Sequence, residues 1–534
     1  MRRIPTPDLA RAAVAVAAGV ATGLGQAPAG WWPLVIPGVA ALTVLVRDRR
    51  PRTAAGLGYL YGLGLFTTTI WWVYVVAWPA APVLIAFMAC WAMLTGWGIR
   101  MVARLPLAPL WAACVWSAAE VAAAHIPLGG FGWVRLAWTA VDTPLAGTLR
   151  WIGATGTSLL IALAGQLLAA AISLGAAPRA PRRARIAAVA TLVGVLSIAS
   201  GVGEWTTRRP DPAGGDVRVT VVQGGVDGTA GSYAMGYARS VTDNHLSETI
   251  AAVAHQRATG APAPDMILWP ENSTDIDPVL DAQTHELVTT AIAVAGRPIL
   301  VGAVTEGPGA DERQTTAMWW PVDSQGPDGV YHKRNLVPFG EWVPWRDALL
   351  KVLPILQHVG RQSVPGTAPG VLTARTDRTD SNSTVRIGDV ICFELAYDGT
   401  VHDTVRHGAQ LLMVQSNNAT YTGTAQPDQQ WQITRARAIE SGRQITVATT
   451  SSLSGLIQPS GRVVDRTRES THDYRTYELS LGDGVSAGVR AAPVIGWSST
   501  ALAGLAVLAG AVMALRRRRR APSSARPPGA TDNV

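Results

Sequence analysis

The chain has 534 residues, 48% of them hydrophobic and 15% charged, with a formal net charge of +8. That length implies two or more domains, and three cysteines (Cys90, Cys114 and Cys392) are too few to build a disulfide framework. The positive charge lies in arginine clusters that abut apolar blocks, which makes it a topology signal and argues against a nucleic-acid partner.

Taken in chain order, apolar blocks near the roughly 20 residues a bilayer demands are read at 9–26, 31–46, 54–77, 80–99, 107–125, 152–175, 186–203 and 493–515. Trp31, Trp32, Trp71, Trp72, Trp78, Trp111 and Trp151 fall near block ends, where indoles anchor at the membrane interface. The first block has a second reading: Arg2 and Arg3, an Ala/Val run and Ala27-Pro28-Ala29 resemble a secretory signal with a small-residue cleavage site. Glycine-rich stretches in the first and third blocks read as helix-packing surfaces. The connections holding Arg47 to Arg52, Arg100 and Arg104, Arg179 to Arg185, and the run Arg516 to Arg520 all fall on one side of the membrane. The positive-inside rule makes that side cytoplasmic. The chain therefore divides into an N-terminal membrane domain of about seven helices (1–204), a polar outward-facing domain (205–490), a C-terminal transmembrane helix (491–515) and a basic, disordered cytoplasmic tail (516–534).

The outer domain alternates strands and helices. Strands are predicted at 217–222, 266–269, 299–304, 316–322, 385–392, 411–415 and 444–449, and helices at 236–258, 283–295, 399–408 and 428–440. Loops are predicted at 306–314 and 372–384. Apolar strands alternating with helices argue for a sheet covered by helices, an α/β fold.

Cys392 ends the strand-like run Val385 to Cys392 and is the one cysteine outside the apolar blocks. A thiol attacks a carbonyl as thiolate and needs a base or a positive neighbour. Glu271 follows the apolar run Met266-Ile267-Leu268-Trp269 and should stand at a strand end, as Cys392 does; strand ends of α/β sheets converge where ligands bind. A buried glutamate there has a raised pKa and suits proton transfer. Of 45 basic side chains only Lys333 and Lys351 are lysines, and a compact ammonium at Lys333 suits a developing oxyanion. Each residue also has an ordinary reading: Cys392 as a small core residue, Glu271 as a loop or cap residue, Glu341 as a solvated one, Trp342 and Trp345 as interfacial anchors. His332 and His402 belong to no spaced cluster that would hold a metal.

The segments Trp269-Pro270-Glu271-Asn272-Ser273, Lys333-Arg334-Asn335-Leu336-Val337-Pro338-Phe339-Gly340-Glu341 and Ile391-Cys392-Phe393-Glu394 match the Glu-Lys-Cys triad of the nitrilase (carbon–nitrogen hydrolase) superfamily. With membrane spans before and after them, the chain resembles the apolipoprotein N-acyltransferase family over nearly its whole length. The resemblance implies a multi-pass α-helical membrane bundle carrying an α/β nitrilase-like α-β-β-α sandwich outside the plasma membrane. It implies Glu271 as general base, Lys333 as oxyanion stabiliser and Cys392 as acyl-carrying nucleophile, with Glu341 and Glu394 in support. Phe393 departs from the tyrosine many members carry after the cysteine. Asn417 and Asn418 resemble the family's segment beyond the nucleophile. Tyr233 and Tyr237 in a segment 223–240, with Trp342 and Trp345, are the candidate lipid contacts and cover. The implied partners are the bilayer, a phospholipid acyl donor and a diacylglyceryl apolipoprotein acceptor; no metal or organic cofactor is implied. Two other readings stay open: a membrane-tethered amidase or nitrile hydrolase, and a non-enzymatic scaffold for a polyprenol-phosphate mannosyltransferase.

Overall fold

The computed structural model describes residues 6–178, 181–212, 215–228, 236–375 and 384–520. Eight helices occupy the eight predicted apolar positions: α1 (Thr6–Gly23), α2 (Val35–Val46), α3 (Pro51–Ile70), α4 (Ala80–Val102), α5 (Ala108–Ala123), α6 (Thr148–Ala176), α7 (Arg182–Thr207) and, after the outer domain, α13 (Ala487–Arg520). Among the described residues, four of them (α4, α6, α7 and α13) are long and apolar enough to cross a membrane, while α2 and α5 are shorter apolar helices. Glycines let the helices approach to backbone contact. A Cβ on Gly19 would stand 2.0 Å from Tyr61 O, and one on Gly58 2.4 Å from Ala92 O. α6 breaks at Gly153, whose φ of 65° and ψ of −177° are open to glycine alone.

The outer domain holds two sheets. The first runs in the order β13-β1-β2-β3-β4-β5, with β6 beside β4. Its strands are β1 (Val217–Gln223), β2 (Met266–Leu268), β3 (Ile299–Glu306), β4 (Glu312–Trp320), β5 (Gly329–His332), β6 (Gln362–Ser363) and β13 (Asp473–Leu479). The second runs β12-β11-β10-β9-β8-β7, from β7 (Val371–Arg375), β8 (Thr384–Ile391), β9 (Leu411–Ser416), β10 (Ile445–Thr449), β11 (Gly455–Ile457) and β12 (Val463–Arg466). In-facing residues of both sheets, among them Val219, Leu268, Trp319, Ile387 and Met413, form one core between them. Helices α8 (Ser240–Thr259) and α9 (Ala282–Ala295) cover the first sheet. Helices α11 (Asp398–Arg406) and α12 (Gln426–Ser441) cover the second, while a short α10 (Arg346–Val352) lies outside the layers. The architecture is the expected α-β-β-α sandwich.

The layers also explain what the sequence pattern hid. The core beneath α11 and α12 is continuous with the core of the membrane bundle, so α12 is covered on both sides and 14 of its 16 residues are buried. Of the predicted loop 372–384, residues 376–383 lie outside the described residues; at its edges, residues up to Arg375 belong to β7 and Thr384 opens β8. The predicted loop 306–314 narrows to the turn of a hairpin, because β3 runs to Glu306 and β4 begins at Glu312. Helix 236–258 starts only at Ser240, after Arg239 in a left-handed conformation. Strands β5, β6, β7, β11, β12 and β13 escaped prediction because they are short or polar. β13 reads Asp-Tyr-Arg-Thr-Tyr-Glu-Leu and buries only Tyr477 and Leu479.

Candidate active site

Three strand ends build the site. β2 ends at Leu268 and leads into Glu271, β8 ends at Ile391 and delivers Cys392, and β9 ends at Ser416 and presents Asn417. These are carboxyl ends of parallel strands, where α/β sheets place their ligands. Lys333 follows β5, and its backbone is pinned on both sides: its N–H donates to Thr315 O (2.9 Å) and its carbonyl accepts from Gly366 N (2.9 Å).

Lys333 is buried, and its Nζ donates to Glu271 Oε1 at 2.8 Å and to Glu341 Oε1 at 3.1 Å. The second oxygen of Glu271 accepts the Asn417 N–H at 2.8 Å. Burial pushes the Glu271 carboxyl above its usual range; the Lys333 charge opposes the shift and Glu341 adds to it. Burial alone would lower the Lys333 pKa, but Glu271, Glu341 and the Cys392 sulfur outweigh it and hold the ammonium charged. The Cys392 thiol is pushed up to about 12, first by burial and then by Glu271, with Lys333 pulling the other way. At rest the thiol is therefore protonated, and its titration depends on both Glu271 and Lys333.

Cys392 opens a 3-10 turn (Cys392–Ala396) rather than ending the strand, and its φ is +51°. A left-handed cysteine costs of order 1–3 kcal/mol and persists only when its surroundings fix it. Glu394 supplies one fixation. Its buried carboxylate accepts from Ile391 N (2.9 Å), from Arg334 N (2.6 Å) and Asn335 N (3.2 Å), and from the Tyr331 hydroxyl (2.8 and 2.9 Å to its two oxygens). It thus ties the cysteine turn to the loop that begins at Lys333. Left-handed residues recur nearby at Asn272, Phe339 and Trp345.

Of the other predicted residues, Glu341 reaches Lys333 and anchors its own loop by accepting from Val337 N at 2.7 Å. Asn417 acts through its backbone N–H. Asn418 lies behind the cysteine, donating to Gln426 Oε1 (3.0 Å) and Gln430 Oε1 (3.2 Å). Phe393 is buried and stacks on Trp133 with ring centroids 5.9 Å apart. Trp342 is half-buried in the turn after Glu341, while Trp345 is 74% exposed and Tyr237 85% exposed. Tyr233 lies outside the described residues. His332 bonds Thr316 through Nδ1 at 2.9 Å, and among the described residues no group of His, Cys, Asp or Glu is placed to hold a metal.

Sequence reasoning missed the residues that join the two domains here. Trp72, taken for an interfacial anchor, is buried, and it and Trp133 both donate to Gln429 Oε1 (2.9 and 2.8 Å). Gln429 in turn donates to Thr69 O at 2.8 Å and Ala27 O at 3.1 Å. Gln430 accepts from the Cys392 thiol at 3.9 Å and donates to Ser416 Oγ at 2.6 Å. The usable signal was the run Gln429-Gln430-Trp431-Gln432: uncharged amides on a helix flanked by apolar residues suit a buried, hydrogen-bonded face better than a solvated one.

A thiol, a carboxylate and an ammonium gathered at the ends of parallel strands in a four-layer sandwich define the carbon–nitrogen hydrolase class, and the family model for carbon-nitrogen hydrolases matches residues 248–487. The model for the apolipoprotein N-acyltransferase N-terminal domain matches residues 18–167. The apolipoprotein N-acyltransferase of Mycolicibacterium smegmatis is 33% identical over 97% of this chain and 87% of its own. That of Azotobacter vinelandii is 28% identical over 98% and 99%. An amidase of the nitrilase superfamily from Nesterenkonia covers 51% of this chain and 93% of its own at 16% identity, with a TM-score of 0.34. The chain belongs to the apolipoprotein N-acyltransferase family.

Proposed function

We infer that this protein is a membrane acyltransferase that moves a fatty acyl chain from a phospholipid to the α-amino group of a diacylglyceryl-cysteine at the N-terminus of an apolipoprotein. The observation that carries the chemistry is the buried Glu271–Lys333 contact at 2.8 Å beside a thiol held protonated by burial. As Cys392 Sγ attacks the phospholipid ester carbonyl, its proton passes to Glu271, and the Lys333 ammonium faces the oxyanion. Collapse breaks the ester C–O bond. The lysophospholipid alkoxide leaves with the proton from Glu271, and the acyl chain remains on sulfur as a thioester. The acceptor amine then attacks the thioester carbonyl and gives a proton to Glu271. The C–S bond breaks, and Glu271 returns the proton to the departing thiolate. Glu341 and Glu394 hold Lys333 and the cysteine turn for both steps.

The arginine-bearing connections support a topology in which 205–490 face outward, with 1–204 and 491–515 in the bilayer and the basic tail inside. Both substrates are lipid-anchored, so a site resting on the helix bundle meets them at headgroup height. The hydrolase and scaffold readings are not favoured: relatives that span the whole chain carry the acyltransferase name. A mannosyltransferase partner gains no support from them.

Intact mass of the purified protein incubated with phospholipid tests the reading. It predicts one added acyl mass that neutral hydroxylamine removes, absent in Cys392→Ala, and discharged as amide by a diacylglyceryl-cysteine peptide. Free fatty acid with no amide would overturn it in favour of the hydrolase. A reporter fused near residue 300 is expected to read outside; a cytoplasmic signal would overturn the topology.

A further inference from the structure

A second group of buried charges lies on the far side of the cysteine turn, where the sandwich meets the bundle. Its hub is Arg437 of α12, fully buried. Its Nε donates to the carbonyl of Leu395, inside the turn that Cys392 opens, at 2.8 Å. Its two Nη atoms donate to Asp398 Oδ1 (2.8 Å) and Glu440 Oε2 (2.5 Å). Both acids then reach into the membrane domain. Asp398 Oδ1 accepts from Arg135 Nη1 at 2.7 Å, and the Thr155 hydroxyl of α6 bridges the pair, accepting from Arg135 Nη2 (2.8 Å) and donating to Asp398 Oδ2 (3.0 Å). Glu440 Oε1 accepts the Ala154 N–H at 2.7 Å, one residue past the break in α6. A Cβ at Gly153 would lie 2.8 Å from that oxygen, so the glycine makes room for the carboxylate. Arg135 and Arg437 also flank the Trp138 ring, at 5.2 and 5.0 Å from its centroid.

The path from the bundle to the nucleophile is thus continuous: Arg135 and the amide at the α6 break hold Asp398 and Glu440, these hold Arg437, and Arg437 holds the Leu395 carbonyl. On the opposite side the turn is held by Glu394. We propose that the membrane bundle itself positions the nucleophile, with Arg135 and Arg437 as positioning residues that act through the Leu395 carbonyl to keep Cys392 in its left-handed, attacking conformation. Buried charges that must all be paired are costly to rearrange, so the network transmits position rather than merely adding adhesion. It follows that the sandwich alone carries the reacting groups but not their final geometry.

The proposal rests on Cys392 being the nucleophile, and the experiment separates the two. Full-length protein in lipid is compared as wild type, Arg135→Met/Asp398→Asn, Arg135→Lys and the near-isosteric Thr155→Val. Two readouts are taken: the pH profile of Cys392 alkylation by iodoacetamide, which needs no substrate, and kcat and KM for thioester formation. Thr155→Val is the variant least able to disturb folding. The expected result is a fall in kcat of about tenfold or more in the double variant and several-fold in Thr155→Val. KM for phospholipid should stay unchanged, the alkylation profile should shift, and Arg135→Lys should recover most of the loss. Wild-type kcat and alkylation profile in folded Arg135→Met/Asp398→Asn and Thr155→Val would overturn the proposal, and so would a raised KM at unchanged kcat. If wild type forms no thioester, the functional reading fails, and the alkylation profiles alone still decide whether the bundle positions Cys392.

Discussion

Glu271 and Glu440 are both buried glutamates in contact with a cation, yet their acidities move in opposite directions. Glu271 shares a single ammonium with Glu341, so burial prevails and its carboxyl titrates high. Glu440 faces Arg437 and His402, which overcome burial and hold it down at about 2. Asp398, between Arg135 and Arg437, is likewise held well below the usual range. Depth does not separate the two groups; the ratio of acids to cations does. A cluster short of positive charge shifts its carboxyl upward, toward easier proton exchange, whereas a balanced one holds its acids ionised. The first suits proton transfer and the second suits holding things still.

The sharpest way to break this contrast is to alter the single ammonium. Lys333→Arg keeps the charge but replaces a compact donor with a planar fork. Thioester formation is expected to fall by about 10²–10³-fold, the cost of one lost oxyanion donor, while the protein stays folded and inserted. Near-full activity in a single-turnover assay would remove Lys333 from the oxyanion role.

Acid separates the clusters next. Glu271 must be ionised to act as base, so the rate should fall roughly tenfold per pH unit below its midpoint, and that midpoint should lie above the ordinary glutamate value of about 4.3. Asp398 and Glu440 have depressed folded values. Their contribution to stability is complete above the unfolded carboxylate pKa and is lost only as pH falls through the folded values, about 2 for Glu440. On acidification the protein should therefore lose activity while near-UV circular dichroism holds; simultaneous loss of both would collapse the distinction.

The smallest effect is expected at Asp389. It is fully buried on β8, its side-chain oxygens make no well-formed hydrogen bond, and burial, then Glu394, push its carboxyl well above normal; the neighbouring Val390 N–H opposes the shift and Glu271 adds to it. Tyr331 faces it from β5. A folded pKa above the unfolded one means that stability is lost as pH rises from about 4 toward the folded value. Asp389→Asn removes that loss, so its Tm should exceed wild type by on the order of a few degrees at pH 7 and converge with it near pH 4. A lower Tm at pH 7 would show that the carboxyl has a partner worth keeping.

Much of the candidate site was legible because its residues are out of character with their surroundings. Cys392 is the one cysteine beyond the apolar blocks, Lys333 is one of two lysines, and Glu271 follows a strand too apolar to be exposed. The helices of the bundle were legible for the opposite reason, since uniform apolarity is itself a signal. What joins the two halves was hidden. Trp72 near the end of an apolar block looks like an anchor, and nothing local says that a tryptophan from the sandwich side of the bundle will meet Gln429. Arg437 and Glu440 on a polar helix look solvated, because sequence shows the sheet beneath α12 but not the bundle above it. Phe393 departs from the tyrosine many members carry, and its position between Phe131, Trp133 and Tyr397 shows a ring used for packing.

The break in α6 bears on the order in which the molecule is made. Gly153 packs against α13: a Cβ there would lie 2.6 Å from Ala492 Cβ, and one on Gly488 would lie 2.3 Å from Leu149 O. The start of α13 is also stitched to the end of α12, through the Ser486 hydroxyl to Glu440 O at 2.5 Å, and to α11, through Arg406 to Val489 O at 2.7 Å. On the ribosome α6 emerges before the sandwich and α13 after it. The helix that seats the break, and with it the Glu440 carboxylate, is made only after the whole sandwich, so the site cannot reach its final geometry until α13 has packed against α6.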